Sequence, residues 1–166
     1  MYYAEKSFSV LNAINDVEIC LKNNAVFAAL LVALTLPDVC GTVEYPNLGV
    51  GQRYKKWYEN YIYNIISPPS EEILPFDFTA KFAYALRCAL VHQSNTKVAK
   101  LNVMIPLDMG KCGMIASAGS HPPVWIEARN ICRLICDCVR SYYEKNRDKC
   151  DALIYPNVYV YQTSEK

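Results

Sequence analysis

Tyr84-Ala85-Leu86-Arg87-Cys88-Ala89-Leu90-Val91-His92-Gln93 is an apolar, helix-favouring run that carries one arginine and, five residues later, one histidine. The pattern turns polar at Gln93-Ser94-Asn95-Thr96, so the helix is expected to end there. Arginine is seldom buried without a partner, and Arg87 is flanked by Leu86, Ala89 and Leu90. Such a residue calls for an acid packed against it or an anionic ligand. Five residues of α-helix amount to about 500°, which leaves positions 87 and 92 about 140° apart. The pair is therefore expected to meet around a ligand or a second chain rather than side by side.

Working outward, helical periodicity dominates the N-terminal half. Phe8, Leu11 and Ile14 predict a short helix over 7–15, and Asp16 is placed to cap a second one with Val17, Cys20 and Leu21 inward. Asn24 to Cys40 is apolar on nearly all sides and reads as a buried helix, kinked at Pro37 and capped by Gly41. Its longest apolar run, the 12 residues Ala25 to Leu36, falls short of the ~20 of a membrane span, so a core helix and no membrane are expected. Tyr54, Trp57, Tyr58, Tyr61, Ile62 and Ile65 then give the cleanest amphipathic pattern of the chain, with Arg53, Lys55, Lys56, Glu59 and Asn60 on the other side. Ser67-Pro68-Pro69-Ser70 ends that helix, and Asp77 or Thr79 is placed to cap the one carrying Arg87.

Beyond Lys97 the period changes to two. Ala99, Leu101, Val103, Ile105 and Leu107 alternate with polar or turn residues and predict a β-hairpin over about 99–117. A closing helix is expected over about 124–143, from Ile131, Leu134, Ile135, Cys138 and Tyr142. The tail, about 153–161, reads as a third strand added to the hairpin, held at an edge by Pro156. The fold expected is thus mainly α: one domain over 1–166, a bundle of four to five helices with a small antiparallel β-hairpin or three-stranded appendage.

Composition narrows the chemistry. Net charge is +1, from Lys+Arg 17 against Asp+Glu 16, so no generic polyanion-binding surface is indicated, although a local patch is compatible with it. Most of the eight cysteines sit in apolar helical patterns, which favours a reducing, cytoplasmic setting. Cys132, Cys136 and Cys138 do not share one helix face, and no second pair completes a tetrahedral set, so neither a metal nor a cofactor is expected. His121 precedes Pro122-Pro123 with no nucleophile or carboxylate beside it. Arg53, Lys55 and Lys56 beside Trp57 and Tyr58 suit nucleic-acid phosphates with a ring stacking a base, against the alternative of a solvated helix face with its aromatics in the core. For Arg87 and His92, a proton carrier near neutral pH with a guanidinium that stabilises phosphate charge suits metal-free phosphodiester cleavage. The alternative is that Arg87 pairs with a buried acid such as Asp38 while His92 caps a helix end.

Tyr84 to Gln93, late in a helical domain, resembles the Arg-x4-6-His signature of the HEPN superfamily. Ala28 to Gly41 and Gly51 to Trp57 look like segments of bacterial proteins of that type, so the resemblance covers about residues 10–95. It implies a HEPN-like helical bundle that dimerises so that two Arg/His pairs converge on an RNA cleft. It also implies a metal-independent endoribonuclease of toxin–antitoxin or phage-defence type, with an antitoxin protein as a further partner. Carried onto this chain, His92 is the general acid/base and Arg87 the electrostatic stabiliser, and Arg53, Lys55 and Lys56 hold RNA. We add Asp38, Gln93 and Asn95 as supporting residues, Asp38 because it lies at the end of the neighbouring buried helix. Active members usually carry Asn or Asp directly after the arginine, where this chain has Cys88. Many members of the superfamily are non-catalytic binding or dimerisation modules, which is the alternative function.

Overall fold

The computed structural model describes residues 3–63, 78–92, 97–98, 101–104, 113–117, 124–154 and 159–163. It is mainly helical. Helix α1 (Val10–Lys22) opens the bundle, with Ser9 as N-cap. Asn12 Oδ1 accepts from the Ser9 backbone N–H at 2.9 Å, satisfying a donor that the helix start leaves open. The two short helices expected over 7–22 are therefore one, and Asp16 lies inside it instead of capping a second. Its buried residues Val10, Ala13, Ile14, Val17 and Leu21 recur at three- and four-residue spacing.

Helices α2 (Val26–Ala33) and α3 (Leu36–Glu44) replace the single kinked helix expected over 24–40. The break falls at Leu34-Thr35, two residues before the proline. Pro37 sits in the first turn of α3, where a missing backbone N–H costs nothing because that donor has no partner in the helix. Gly41 is not a cap; α3 runs on through it to Glu44. An added Cβ at Gly41 would lie 3.1 Å from the Arg53 carbonyl oxygen, so the glycine lets two backbones approach. By length and composition, the stretch Val26–Glu44 is apolar enough to cross a membrane, and half of its most apolar window is buried inside the bundle.

Helix α4 (Val50–Tyr58) continues into a π-helical turn (Glu59–Tyr63). Trp57, Tyr54, Tyr58 and Ile62 are buried, as the spacing predicts. Burial of each such side chain contributes about 1.5–3 kcal/mol. Helix α5 (Ala80–His92) starts at Thr79, whose Oγ1 accepts from the Phe82 N–H at 3.2 Å. Tyr58 Oη donates to the Phe78 carbonyl at 3.1 Å and fastens the end of α4 to the start of α5.

Helix α6 (Ala128–Lys145) is the closing helix and packs on α1, α2, α3 and the π turn, followed by α7 (Arg147–Leu153). It starts four residues later than expected and ends two residues further on. The strands are β1 (Tyr3–Ser7), β2 (Lys97–Val98), β3 (Leu101–Met104), β4 (Gly113–Ser117), β5 (Val124–Glu127) and β6 (Tyr159–Thr163). In sheet order β2-β3-β4-β5 all pairings are antiparallel. The tail departs from expectation: β6 pairs with β1, Tyr3 opposite Thr163 and Ser7 opposite Tyr159, and not with the hairpin. Residue 153 ends α7 rather than opening a strand.

Candidate functional site

Three helices bring three charged side chains together. Asp38 stands in the first turn of α3, Arg53 in the middle of α4 and Arg87 in the second half of α5. Arg53 Nε donates to Asp38 Oδ1 at 2.7 Å, and Arg87 Nη2 lies 3.7 Å from Asp38 Oδ2. The side chains keep 16% (Asp38), 21% (Arg53) and 14% (Arg87) of their exposure, so the cluster is neither sealed nor freely solvated. One carboxylate is thus shared by two guanidiniums, one oxygen each. A hydrogen bond to a charged group at this depth contributes about 1.5–3 kcal/mol.

Two glycines set the spacing. Gly41 lets α4 lie close enough to α3 for Arg53 to reach Asp38. Gly51, near the start of α4, faces Tyr84 of α5; an added Cβ there would lie 3.0 Å from the Tyr84 hydroxyl. Tyr84 in turn packs its ring on Tyr54, centroids 5.2 Å apart.

Beneath the charges lies an aromatic floor. Tyr54 is fully buried, and among the described residues its hydroxyl finds no hydrogen-bond partner. Burial pushes that hydroxyl's pKa well up; Tyr58, Asp38 and Cys88 act in the same direction and Arg87 opposes them. Burial, and then a hydrogen bond to the Cys88 thiol, raises the Tyr84 phenol too. Cys88, which stands where the resemblance calls for Asn or Asp, is half-buried and engaged with Tyr84.

The Arg-x4-His spacing lies wholly within one unbroken helix, since α5 ends on His92. Position 92 is therefore about 140° around the axis from position 87, as regular helical geometry requires. Gln93 and Asn95, read as supporting residues, lie outside the described residues, as does His121.

The basic trio of α4 divides. Arg53 turns inward to Asp38, whereas Lys56 places its Nζ 4.7 Å from the centroid of the Tyr45 ring and Lys55 is half-buried. Sequence reasoning put Arg53 on one face with Lys55 and Lys56 and did not pair it with Asp38. The signal available was weak: Arg53 immediately precedes the buried Tyr54, one position from the inward stripe.

A second polar cluster sits at the other end of α3. Glu44 accepts from Tyr61 Oη at 3.0 Å and, on its other oxygen, from Tyr142 Oη at 3.1 Å. Trp57 packs against both tyrosine rings. Burial, followed by the hydrogen bond to Glu44, pushes the Tyr61 phenol up to about 12 and raises Tyr142 as well. This cluster was not read from the sequence, because Glu44 lies beyond the helix end expected at Gly41. Cys132, Cys136 and Cys138 are buried in the packing of α6, and burial raises the thiol pKa of Cys136 to about 12 and of Cys138 to about 11. Among the described residues no three His, Cys, Asp or Glu side chains gather to hold a metal.

In comparisons with known proteins, no family model, no curated protein and no solved structure matches the chain.

Proposed function

We propose that the chain is a HEPN-type module acting on RNA as a metal-independent endoribonuclease, with the cluster around Asp38 as the phosphate-facing part of its site. The observation that supports this reading is the gathering of Arg53 and Arg87 on one carboxylate, from helices far apart in sequence. Arginine clusters of this kind suit the negative charge carried by the non-bridging phosphate oxygens during attack. In the reaction, a ribose 2′-OH attacks the adjacent phosphorus, its proton passes to a base, and the P–O5′ bond breaks as the 5′ oxygen takes a proton. His92 is the residue assigned to proton transfer and Arg87 to stabilising the phosphorane. Because positions 87 and 92 diverge on one helix, the site is completed by a second copy of the chain, so the working form is a homodimer. Cytoplasmic location, an antitoxin partner and a role in phage defence belong to the same reading. So does the finer description of the fold: a HEPN-like bundle to which the strands are an appendage.

The low exposure of Arg87 beside Asp38 favours a second reading, a non-catalytic HEPN-like module in which Arg87 holds helices or a dimer interface together. One experiment separates the two. Purified wild type and Arg87→Ala/His92→Ala are incubated with single-stranded RNA in EDTA. The ribonuclease reading expects cleavage by wild type and none by the double variant. No cleavage by wild type, or equal cleavage by both, leaves the binding module.

A further inference from the structure

Arg53 meets Asp38 sideways. Its Nε carries the 2.7 Å bond, and among the described residues its two Nη groups make no hydrogen bond to the protein. Those Nη groups form the half of the guanidinium that matches two oxygens of a tetrahedral anion. Arg87 approaches the opposite oxygen of the same carboxylate, which places the two cations on either side of one anchor. Below them the Tyr54 hydroxyl is fully buried without a hydrogen-bond partner among the described residues. The charges of Arg87 and Asp38 both act on it. A buried donor left without a bond costs about 1–3 kcal/mol.

We propose that Arg53 and Arg87 together form one phosphate-binding site, Asp38 fixing the two guanidiniums side by side and Arg53 gripping the anion through its Nη pair. The ligand class is a phosphate group, whether of an RNA backbone or free in solution. Arg53 thereby leaves the Lys55/Lys56 face and becomes a specificity-determining residue of the Arg87 site. The inference rests on the proposed function only for the identity of the natural ligand; the anion site stands or falls separately.

The test is a titration of the full-length protein with inorganic phosphate, followed through the assigned arginine Nε–H resonances. Those of Arg53 and Arg87 are expected to shift together and saturate. Arg53→Gln is expected to weaken phosphate affinity about tenfold, the scale of one charge-assisted bidentate contact. Arg53→Lys, which keeps the charge and lacks the fork, is expected to lose nearly as much, and Lys149→Ala, at an exposed position of α7, to stay within about twofold. The proposal is overturned if phosphate moves neither arginine or only Arg87. It is also overturned if Arg53→Lys, folded by circular dichroism, binds phosphate as wild type does. The wild-type titration decides even if Arg53→Gln fails to fold. A protein that binds phosphate through Arg53 but leaves RNA intact would end the ribonuclease reading and keep the site. Cleavage of RNA with no phosphate response at Arg53 would do the reverse. A mononucleotide titrated in parallel separates a backbone phosphate from a free one.

Discussion

Helix α3 carries a carboxylate near each end, and the two have been given opposite company. Asp38, in the first turn, gathers two guanidiniums; Glu44, in the last, gathers two phenols. At Glu44 the donors are neutral and each oxygen accepts from one, at 3.0 and 3.1 Å, with Trp57 packed against the rings. That arrangement ties α3 to the π turn and to α6. At Asp38 the bonds are unequal, 2.7 and 3.7 Å, two cations share one anion, and a buried hydroxyl beneath is left without a bond. A fold can hold helices together with either device. Each end leaves a buried neutral donor without a bond among the described residues, the Trp57 indole N–H at one and the Tyr54 hydroxyl at the other. Only the second also has charged donors to spare, the Nη groups of Arg53. The two ends of α3 thus separate a structural cluster from a candidate binding one.

The largest effect is expected at the structural end. Trp57→Ala removes a fully buried indole stacked on Tyr61 and edge-on to Tyr142, and should destabilise by about 3–5 kcal/mol in denaturant titration. It should leave phosphate affinity unchanged wherever the protein remains folded. Asp38→Asn comes next. Loss of the charged acceptor of Arg53 should cost about 2 kcal/mol and weaken phosphate binding, because nothing then fixes the two guanidiniums. A variant that loses stability yet binds phosphate more tightly would mean that Asp38 only opposes the anion and does not present the arginines.

Gly41→Ala tests whether the helix spacing matters to the site. Its Cβ would press on the Arg53 carbonyl, which is backbone and cannot rotate away. A destabilisation of about 1–2 kcal/mol is expected despite alanine's better helix propensity, with weakened phosphate binding. Gly51→Ala meets a Tyr84 side chain instead and should be milder.

The smallest effect is one of pH. The Tyr61 phenol is neutral in the fold up to about 12, whereas an unfolded tyrosine ionises near 10. The stability this gives is fully present below about pH 10 and is lost as pH rises from there towards 12. Thermal midpoints should fall over that window in wild type and fall less steeply in Glu44→Gln, which lacks the charge opposing ionisation.

Much of this was legible in the residues. An arginine among Leu86, Ala89 and Leu90 had to have a partner, and Asp38 was the acid expected to supply it. The aromatic stripe of α4 announced its buried face, and the cap of α5 was narrowed to Asp77 or Thr79, of which Thr79 makes the bond. The remainder was hidden for identifiable reasons. Pro37 looks the same in sequence whether it kinks a helix or begins one. Gly41 looked like a helix end, although its use is to admit a neighbouring backbone, which only tertiary packing shows. Val124 to Glu127 carries apolar residues that serve a strand as well as a helix, and the tail could not announce that its partner is the N-terminal Tyr3–Ser7. Arg53 was hidden by its company, since a basic residue beside Lys55 and Lys56 reads as part of one solvated face.

The difference between the ends of α3 can be measured in a single assay. Single-stranded RNA in EDTA is exposed to wild type, Arg87→Ala, Arg53→Gln and Glu44→Gln, all at a temperature where each is folded. The account predicts cleavage by wild type, loss of it in both arginine variants, and near wild-type cleavage in Glu44→Gln. RNA left intact by wild type, or equal damage from Glu44→Gln and Arg87→Ala, would contradict it.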